Sequence, residues 1–401
     1  MKQILLNTIV CITFSAVGFS LFGGSYFSTK SKGIGIRQYN TGVRGMGMGF
    51  TGIASADSLQ LNSFALTQWR YISTTRATIG ISYQGISSDF DGGAEAYNST
   101  ADFGGLNLAV PLVSKKWAIG LSISPYAEMD FKTNNTITSD GETFTQISSY
   151  TGNVSRAQFS LAWAPTPSFG ISANYSYFFG SLNDQYDFDF EDNSFRDTSH
   201  KITYRFSGPG FGIGADWQPI SRARIAGFVD FQPSVDLAVS YTSTLQISDD
   251  EERNFDSFPL QFGIGSAFDL GKGWNAAIDY TSQNWADALT VPNADFDTWQ
   301  LFGVGFEREA KRERKAGFLG GNDLRAGFSA AKLGYKFNGN TVSEYALHLG
   351  MGFPFGFYTN RFDVAFVGGF RGDLTKNLAE ERFIKMNISL SIGEQWFQRI
   401  R

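Results

Sequence analysis

The stretch IKMNISLSI (residues 384–392) decides the fold class, because it alternates strictly between apolar and polar side chains. Successive side chains of a β-strand point to opposite faces, so one face of this segment is apolar and the other is polar. The same alternation returns at 116–131, 273–285 and 342–354. Alternation of this kind predicts strands that separate an apolar environment from a polar one.

About 14 such segments follow one another along the chain, at a spacing of roughly 23 residues for each strand and its connection. The strands of soluble sandwiches recur every 8–12 residues or so, whereas single-chain bacterial membrane barrels have long strands in even number. The sequence therefore predicts an all-β fold, a transmembrane antiparallel β-barrel of about 14 strands that occupies residues 68–401.

The connections between these segments alternate in length, as expected for short periplasmic turns and long external loops. Long polar connections are predicted at 86–101, 132–142 and 183–198. The charged connection 307–321 is an exception, because it falls on the periplasmic side. The tryptophans all lie near predicted strand ends, which predicts aromatic girdles at the membrane boundaries: Trp69, Trp117, Trp163, Trp217, Trp274, Trp285, Trp299 and Trp396.

Composition agrees with a membrane barrel and excludes several classes of protein. Of the 401 residues, 18% are charged, against about 25% in soluble domains, and 16% are aromatic. Mean hydropathy is −0.16, and no apolar run after residue 22 is as long as a transmembrane helix. The net charge of −5 argues against nucleic acid as a partner.

Residues 1–22 have the layout of a secretory signal peptide, with Lys2, an apolar run and then small residues, so we expect cleavage near residues 20–24. An uncleaved anchor helix is the alternative, although the run contains several polar residues. Cys11 is the only cysteine, so the mature chain is expected to have neither a disulfide nor a thiol metal site. Export and barrel architecture together predict the bacterial outer membrane.

Residues 23–67 do not alternate and contain the run RGMGMGFTG (44–52). Three of its glycines match the spacing of a dinucleotide-binding loop, but no strand precedes them and no βαβ unit follows. The side chains of a 14-stranded wall cannot fill the interior by themselves. We therefore expect this segment to fold into the lumen as a plug, with glycines that allow tight turns and close approach to the wall.

The run that starts at Arg44, RGMGMGFTGIASADSLQLNSFAL, resembles the N-terminal plug of the FadL/TodX family of outer-membrane transporters for hydrophobic compounds. Residues 324–356 and 383–397 resemble FadL-like proteins of the Bacteroidetes and Chlorobi type. Asn62 matches the plug motif of the family, whereas Ser63 and Phe64 stand where that motif has proline and alanine.

This resemblance implies a barrel with an N-terminal hatch that passes long-chain fatty acids or aromatic hydrocarbons without ATP. In the family, an inward kink of the third strand opens a lateral exit. The third strand here carries Pro125, which cannot donate a ladder hydrogen bond and therefore fits such a kink. The expected plug or gate residues are Gly45, Gly47, Gly49, Gly52 and Asn62, and the expected ligand-binding residues are Phe50, Ile53, Leu61 and Phe64.

Two further classes of function stay open. One is a barrel subunit of a secretion or surface-attachment system, as in the related PorV-type barrels. The other is an outer-membrane enzyme. Neither G-x-S-x-G nor H-E-x-x-H occurs in the sequence, and the only feature that favours an enzyme is that His348 and Glu344 share a strand face. We expect no catalytic residue, metal or cofactor, and a monomer in contact with outer-membrane lipid and lipopolysaccharide.

Overall fold

In the computed structural model, the alternating segments form one antiparallel sheet that closes on itself. The structure describes residues 24–31, 35–39, 41–139, 142–190, 195–232, 236–244, 250–253, 258–286, 295–311, 317–356 and 359–395. The predicted signal peptide and Trp396 lie outside these residues. No helix in the described ranges is long and apolar enough to cross a membrane.

The described strands follow the order of the chain. They are β1 (Ile36–Arg37), β2 (Thr75–Phe90), β3 (Glu95–Val113), β4 (Trp117–Ser139), β5 (Glu142–Thr166), β6 (Phe169–Phe190), β7 (Thr198–Ile220), β8 (Ala223–Gln232), β9 (Asp236–Ser243), β10 (Asp250–Arg253), β11 (Phe258–Gly271), β12 (Trp274–Asn284), β13 (Phe296–Arg308), β14 (Asp323–Phe337), β15 (Asn340–Phe355), β16 (Asn360–Asp373) and β17 (Ala379–Glu394). Short helices span Gly42–Met46, Gly317–Gly320 and Leu374–Asn377, and 3₁₀ helices span Tyr26–Lys30 and Leu66–Tyr71.

The wall of the barrel has 14 strands. β8 and β9 both pair with β7 and act as one wall strand, and β10 and β11 act as the next. β17 pairs with β2 from Ala379↔Phe90 to Glu394↔Thr75, which closes the wall. The predicted transmembrane antiparallel β-barrel of about 14 strands is confirmed.

The outer face of the wall is apolar and the inner face is polar, the reverse of a soluble protein and the pattern of a membrane barrel. Each wall strand exposes large apolar side chains, for example Ile81, Leu106, Leu121, Phe159, Tyr175, Ile213, Val229, Ile264, Ile278, Phe302, Phe328, Leu347, Phe366 and Ile384. Buried polar side chains alternate with them, among them Thr78, Asn107, Ser122, Asp216, Asp279, Glu307, Arg325, His348, Asp363 and Asn387.

The two ends of the barrel differ. Turns such as 114–116, 167–168 and 272–273 are short, and their end of the barrel is therefore called the periplasmic end. β4 to β7 have 22 to 25 residues each, about twice the length needed to cross a bilayer. The predicted long loops at 86–101 and 132–142 are therefore wrong, because most of their residues extend the strands beyond the membrane.

The prediction that every tryptophan belongs to a girdle is also wrong for part of the set. Trp69, Trp285 and Trp299 are each 1% exposed and lie inside the barrel. Trp69 belongs to the 3₁₀ helix that precedes the first wall strand, and the other two pack in the aromatic core of the lumen. Trp117, Trp163, Trp217 and Trp274 do face the outside.

Residues 24–74, called the N-terminal segment below, precede the first wall strand, and those that the structure describes (24–31, 35–39 and 41–74) lie inside the barrel. The segment contacts wall strands from all sides, because its residues bond to β4, β7, β12, β13, β15 and β17. Most of its described apolar side chains are buried, for example Phe27, Met48, Ile53, Leu61 and Ile72.

Candidate functional site

Glycines in the N-terminal segment bring its backbone into direct contact with the wall. Gly49 has φ +73°, a conformation that favours glycine, and a Cβ atom there would lie 2.4 Å from the carbonyl oxygen of Phe328. The positions of the wall that face Gly49 are also glycines. A Cβ atom on Gly303 would lie 2.1 Å from the oxygen of Gly49, and one on Gly327 would lie 2.3 Å from its nitrogen. Side chains are therefore missing on both sides of this contact.

The other glycines of the run have related settings. Gly47 packs on Gly350, with a hypothetical Cβ 2.9 Å from the Cα of Gly350, and Gly45 packs against the oxygen of Thr51 within the segment. Gly52 adjoins Asn62, whose amide donates a 3.2 Å hydrogen bond to the Gly52 oxygen. The Asn62 Oδ1 atom accepts a 2.8 Å bond from the backbone N–H of Phe64. Asn62 thus fixes the turn that follows it.

Asp279 on β12 holds the end of the glycine run. Its Oδ2 atom accepts hydrogen bonds from the backbone N–H groups of Gly52 at 2.6 Å and Ile53 at 2.7 Å. Asp279 is 5% exposed, so these two N–H groups are satisfied by a buried wall carboxylate.

Replacement of Asp279 by alanine should lower the free energy of unfolding by about 1–3 kcal/mol, because buried N–H groups lose their acceptor. Asp279→Asn keeps an acceptor oxygen and should lose less than half as much. The measurement is urea unfolding in lipid vesicles, followed by tryptophan fluorescence. Asp269→Ala is the control, since Asp269 accepts a similar 2.7 Å bond from Gly271 in an exposed turn. Equal losses for Asp279→Ala and Asp269→Ala would contradict the anchoring role.

A network of buried ion pairs joins the N-terminal segment to the wall near the periplasmic end. Arg44 donates from Nε to Glu307 on β13 at 2.9 Å, and its Nη2 pairs with the same carboxylate. Asp57 accepts from Nη2 of Arg361 on β16 at 2.5 Å. Burial alone would raise the pKa of Asp57, but the charges of Arg361 and Arg44 lower it below its ordinary value. The carboxylate is therefore charged at neutral pH.

Arg325 on β14 is the centre of this network. Its Nε atom donates to Glu307 at 2.8 Å, its Nη1 atom to Asp363 at 2.6 Å and its Nη2 atom to Asp323 at 2.9 Å. Arg361 also binds Asp363, through Nε at 2.8 Å. The N-terminal segment is thus attached to β13 and β16 by charge-assisted bonds, the stronger kind of hydrogen bond, and Arg325 on β14 links the carboxylates of these two strands.

The wall is interrupted between its second and third strands. The pairing of β3 with β4 ends at Leu106↔Ile123, whereas β4 stays paired with β5 as far as Ser139. The β4–β5 register shifts between Pro125 and Ala127. Beyond this bulge the Glu128 side chain accepts a 3.2 Å bond from Gln84, an inward-facing residue of β2. The outer half of β4 is therefore displaced from the wall towards the lumen.

The N-terminal segment occupies part of the edge of β4 that β3 leaves free. Ile36 pairs with Glu128 and Arg37 pairs with Ala127, so that β1 adds a two-residue strand to β4. The N–H of Gln38 also donates to the oxygen of Tyr126 at 3.0 Å. Arg37 is 3% exposed, and its guanidinium group lies 3.5 Å from the ring centre of Tyr126.

The structure does not bring the predicted ligand-binding residues into one pocket. Phe50 joins an aromatic core with Tyr39 and His348. Ile53 and Phe64 pack on Phe228, and Leu61 belongs to a third cluster around Trp69. The cavity beside Ile53 and Phe64 measures only about 10 Å³, far below the roughly 300 Å³ of a small-molecule site.

His348 and Glu344, which share a strand face, do not belong to a catalytic triad. His348 contacts the Ser329 hydroxyl through Nε2 at 2.8 Å, but its Nδ1 meets the oxygen of Met46 at 2.6 Å. Glu344 instead accepts from Arg371 at 2.6 Å. Within the described residues, no group of three or more His, Cys, Asp and Glu side chains has a geometry that would hold a metal ion.

Sequence reasoning missed the wall half of the site. Asp279, Glu307, Arg325 and Asp363 are charged residues at inward positions of otherwise alternating strands. Their position within predicted membrane-spanning strands was the available signal, because a charge there must face the lumen and find a partner.

The closed wall, its apolar outer belt and the N-terminal segment in its lumen define an outer-membrane-type β-barrel with an internal segment. The chain belongs to the BamG family, whose profile matches residues 1–401. No curated protein matches the chain in sequence.

Solved structures share the fold. A FadL homologue of Pseudomonas aeruginosa is 13% identical, with 90% of this chain and 99% of that chain covered and a TM-score of 0.62. The toluene transporter TodX of Pseudomonas putida is 16% identical, with 89% and 98% covered and a TM-score of 0.59. The toluene transporter TbuX of Ralstonia pickettii is 15% identical, with 87% and 97% covered and a TM-score of 0.57. At these identities the likeness concerns the fold.

Proposed function

We propose that the protein is a passive transporter of hydrophobic small molecules, long-chain fatty acids or aromatic hydrocarbons, with lateral release between β3 and β4. The observation that carries this proposal is the interrupted wall. Beyond Ile123, β4 is no longer paired with β3, and at Ala127 and Glu128 its partner on that edge is the two-residue strand β1. TodX and TbuX, which share the fold, are described as toluene transporters.

The outer half of the lumen suits capture of an apolar molecule. Tyr26, Phe27, Phe131 and Phe337 form a set of edge-to-face and tilted ring contacts beneath the outer ends of the strands. An apolar ligand that replaces part of these contacts gains about 25 cal/mol for each Å² of apolar surface that leaves water. The same aromatic core continues to β1 through Ile36.

We infer that release of β1 opens the exit. The few backbone bonds of β1 to β4 contribute about 0.5–1.5 kcal/mol each, and the two bonds that Arg37 donates to Gln283 and Gln261 are lost as well. A buried fatty acyl chain gains about 0.8 kcal/mol for each CH₂ group. Binding of a chain with several CH₂ groups therefore offsets the loss of β1 pairing. The ion-pair network near the periplasmic end is stronger, so we infer that the gate is the β1 edge and that the rest of the segment stays seated.

A disulfide between β1 and β4 tests this route. Ile36→Cys/Glu128→Cys joins residues that face each other in the register, in a Cys11→Ser background. Uptake of a labelled fatty acid and of toluene by expressing cells should fall about tenfold in the oxidised protein, since β1 cannot leave. A reductant should restore uptake.

The pair Leu121→Cys/Phe159→Cys is the matched control, because it joins β4 to β5 where the two strands are already paired. This control should transport equally well in both redox states. Normal uptake by the oxidised Ile36/Glu128 variant would exclude release past β1.

A second function, a PorV-like barrel subunit of a secretion or surface-attachment system, is favoured by the firm attachment of the N-terminal segment. Buried ion pairs join the segment to β13 and β16 near the periplasmic end, and its glycine run contacts the wall backbone directly. Under this function neither disulfide changes uptake, and the native protein co-purifies with large periplasmic partners.

A further inference from the structure

The outer wall contains an apolar groove that belongs neither to the lumen nor to the β3–β4 gap. It crosses β4 to β8 and β11 on the lipid-facing side, and its volume is about 830 Å³. This volume lies within the roughly 300–1,000 Å³ typical of ligand sites. The lining is almost wholly apolar and includes Trp163, Ile171, Trp217 and Phe262.

Small side chains make the groove. Ala173 on β6, Ala215 on β7 and Gly227 on β8 all point outward, and the last two face each other in the register. Trp117 and Trp163 form one side as a stacked pair with ring centres 5.1 Å apart. The groove thus lies where outward positions carry small side chains instead of the large ones found elsewhere in the lipid-facing belt.

The groove reaches the periplasmic end of the wall, where two basic side chains lie beside it. Lys115 and Lys116 belong to the turn directly before Trp117, and the backbone oxygen of Lys116 accepts a 2.8 Å bond from the N–H of Ala164, the residue after Trp163. Both lysines are exposed. The turns 114–116 and 167–168 contain no acidic residue. This part of the rim therefore has a local charge opposite to the net charge of the chain, which is −5.

We propose that this groove binds an anionic phospholipid of the periplasmic leaflet. An acyl chain lies over Ala215 and Gly227, and the phosphate group meets Lys115 and Lys116. The position of the groove selects this occupant, since an apolar cleft in the membrane belt with a cationic rim at the bilayer surface matches one chain and one headgroup. The site does not depend on the transport route.

The first experiment changes the charge of the rim. Purified protein in detergent is mixed with dioleoyl phosphatidylglycerol or dioleoyl phosphatidylcholine, and bound lipid is counted by native mass spectrometry. A basic residue near an anionic lipid contributes about fivefold in affinity, which corresponds to ~1 kcal/mol. The variant Lys115→Ser/Lys116→Ser should therefore bind phosphatidylglycerol about 25-fold more weakly, with little change for phosphatidylcholine.

A pair of glycine substitutions separates lipid binding from folding. Lys115 and Lys272 both have positive φ, 57° and 56°, so glycine is less strained at either position. Both lie in turns at the periplasmic end, but only Lys115 adjoins the groove. Lys115→Gly should weaken phosphatidylglycerol binding about fivefold, and Lys272→Gly should leave it unchanged.

The second experiment fills the groove. Ala215→Phe places a ring on its floor, whereas Ala326→Phe adds the same ring at another exposed, outward position of the wall, on β14. Ala215→Phe should lower binding of both lipids at least tenfold, and Ala326→Phe should lower neither. The proposal is overturned if the wild type binds the two lipids equally, if both phenylalanine variants behave alike, or if Ala215→Phe removes a co-purifying protein and leaves the lipid in place.

Discussion

Replacement of Arg325 by methionine should lower the free energy of unfolding by about 3–5 kcal/mol, a large part of the stability of most folded domains. The guanidinium group has no exposed surface and binds Glu307, Asp323 and Asp363 at 2.6–2.9 Å. Methionine fills a similar volume, so the loss comes from charge. The carboxylates would stay buried with only Arg44 and Arg361 to balance them.

The measurement is urea unfolding in lipid vesicles, with heat-modified gel migration as a second readout of barrel folding. Arg382→Met is the matched control, because Arg382 pairs with Asp89 and Glu380 while 71% of its side chain is exposed. Exposed pairs contribute at most about 1 kcal/mol. A loss at Arg325 no larger than the loss at Arg382 would contradict a structural role for the network.

A rescue variant tests whether charge is the cause. Arg325→Met combined with Glu307→Gln and Asp363→Asn removes the arginine and two of its carboxylates together. Replacement of a whole buried ionic group by neutral residues is often close to neutral. The combined variant should recover most of the stability lost in Arg325→Met, although it also releases Arg44, so part of the attachment of the N-terminal segment is lost.

The barrel itself could be predicted from the sequence because a membrane imposes period-two alternation on every strand. The same physics explains the errors at the outer end. Beyond the bilayer both faces of a strand meet water, so the alternation fades while the hydrogen-bonded ladder continues. This is the case at 132–139 in β4 and at 183–190 in β6, which the sequence assigns to loops and the structure assigns to strands.

The tryptophan errors have a related cause. An aromatic residue near a strand end satisfies the girdle pattern whether it faces lipid or the lumen, and the sequence alone does not separate the two. Trp299 is buried beneath Tyr39, with ring centres 5.8 Å apart. That contact depends on where the N-terminal segment lies, which no local pattern in β13 records.

The candidate site, too, could be predicted only in part from the sequence. The glycine run indicates a close approach of backbone, but the surfaces that it approaches are Gly303, Gly305, Gly327 and Gly350, more than 250 residues further along the chain. Each of these glycines looks like an ordinary small residue within its strand. Only the closed barrel shows that they form one surface.

The glycine contact gives the second large effect, which we expect for Gly49→Val. A valine at φ +73° is strained by about 1–2 kcal/mol, and its Cβ would lie 2.4–2.5 Å from the carbonyl oxygens of Phe328 and Val304. Overpacking against a rigid wall costs about a further 1–3 kcal/mol. The N-terminal segment should therefore detach from β13 and β14. The wall should stay closed, because its hydrogen-bonded ladder does not involve residue 49.

Two readouts should change together in Gly49→Val. Planar-bilayer recordings should show conductance steps that the wild type lacks, and protease should cut within residues 24–74 of the folded, heat-modifiable barrel. Gly339→Val is the control, since Gly339 has φ +71° and would meet nothing within 4 Å. This control carries the backbone strain without the clash, so it should stay closed and resist protease. If Gly49→Val is as closed as Gly339→Val, the glycine contact does not hold the segment in place, and the ion pairs and the Asp279 bonds are sufficient without it.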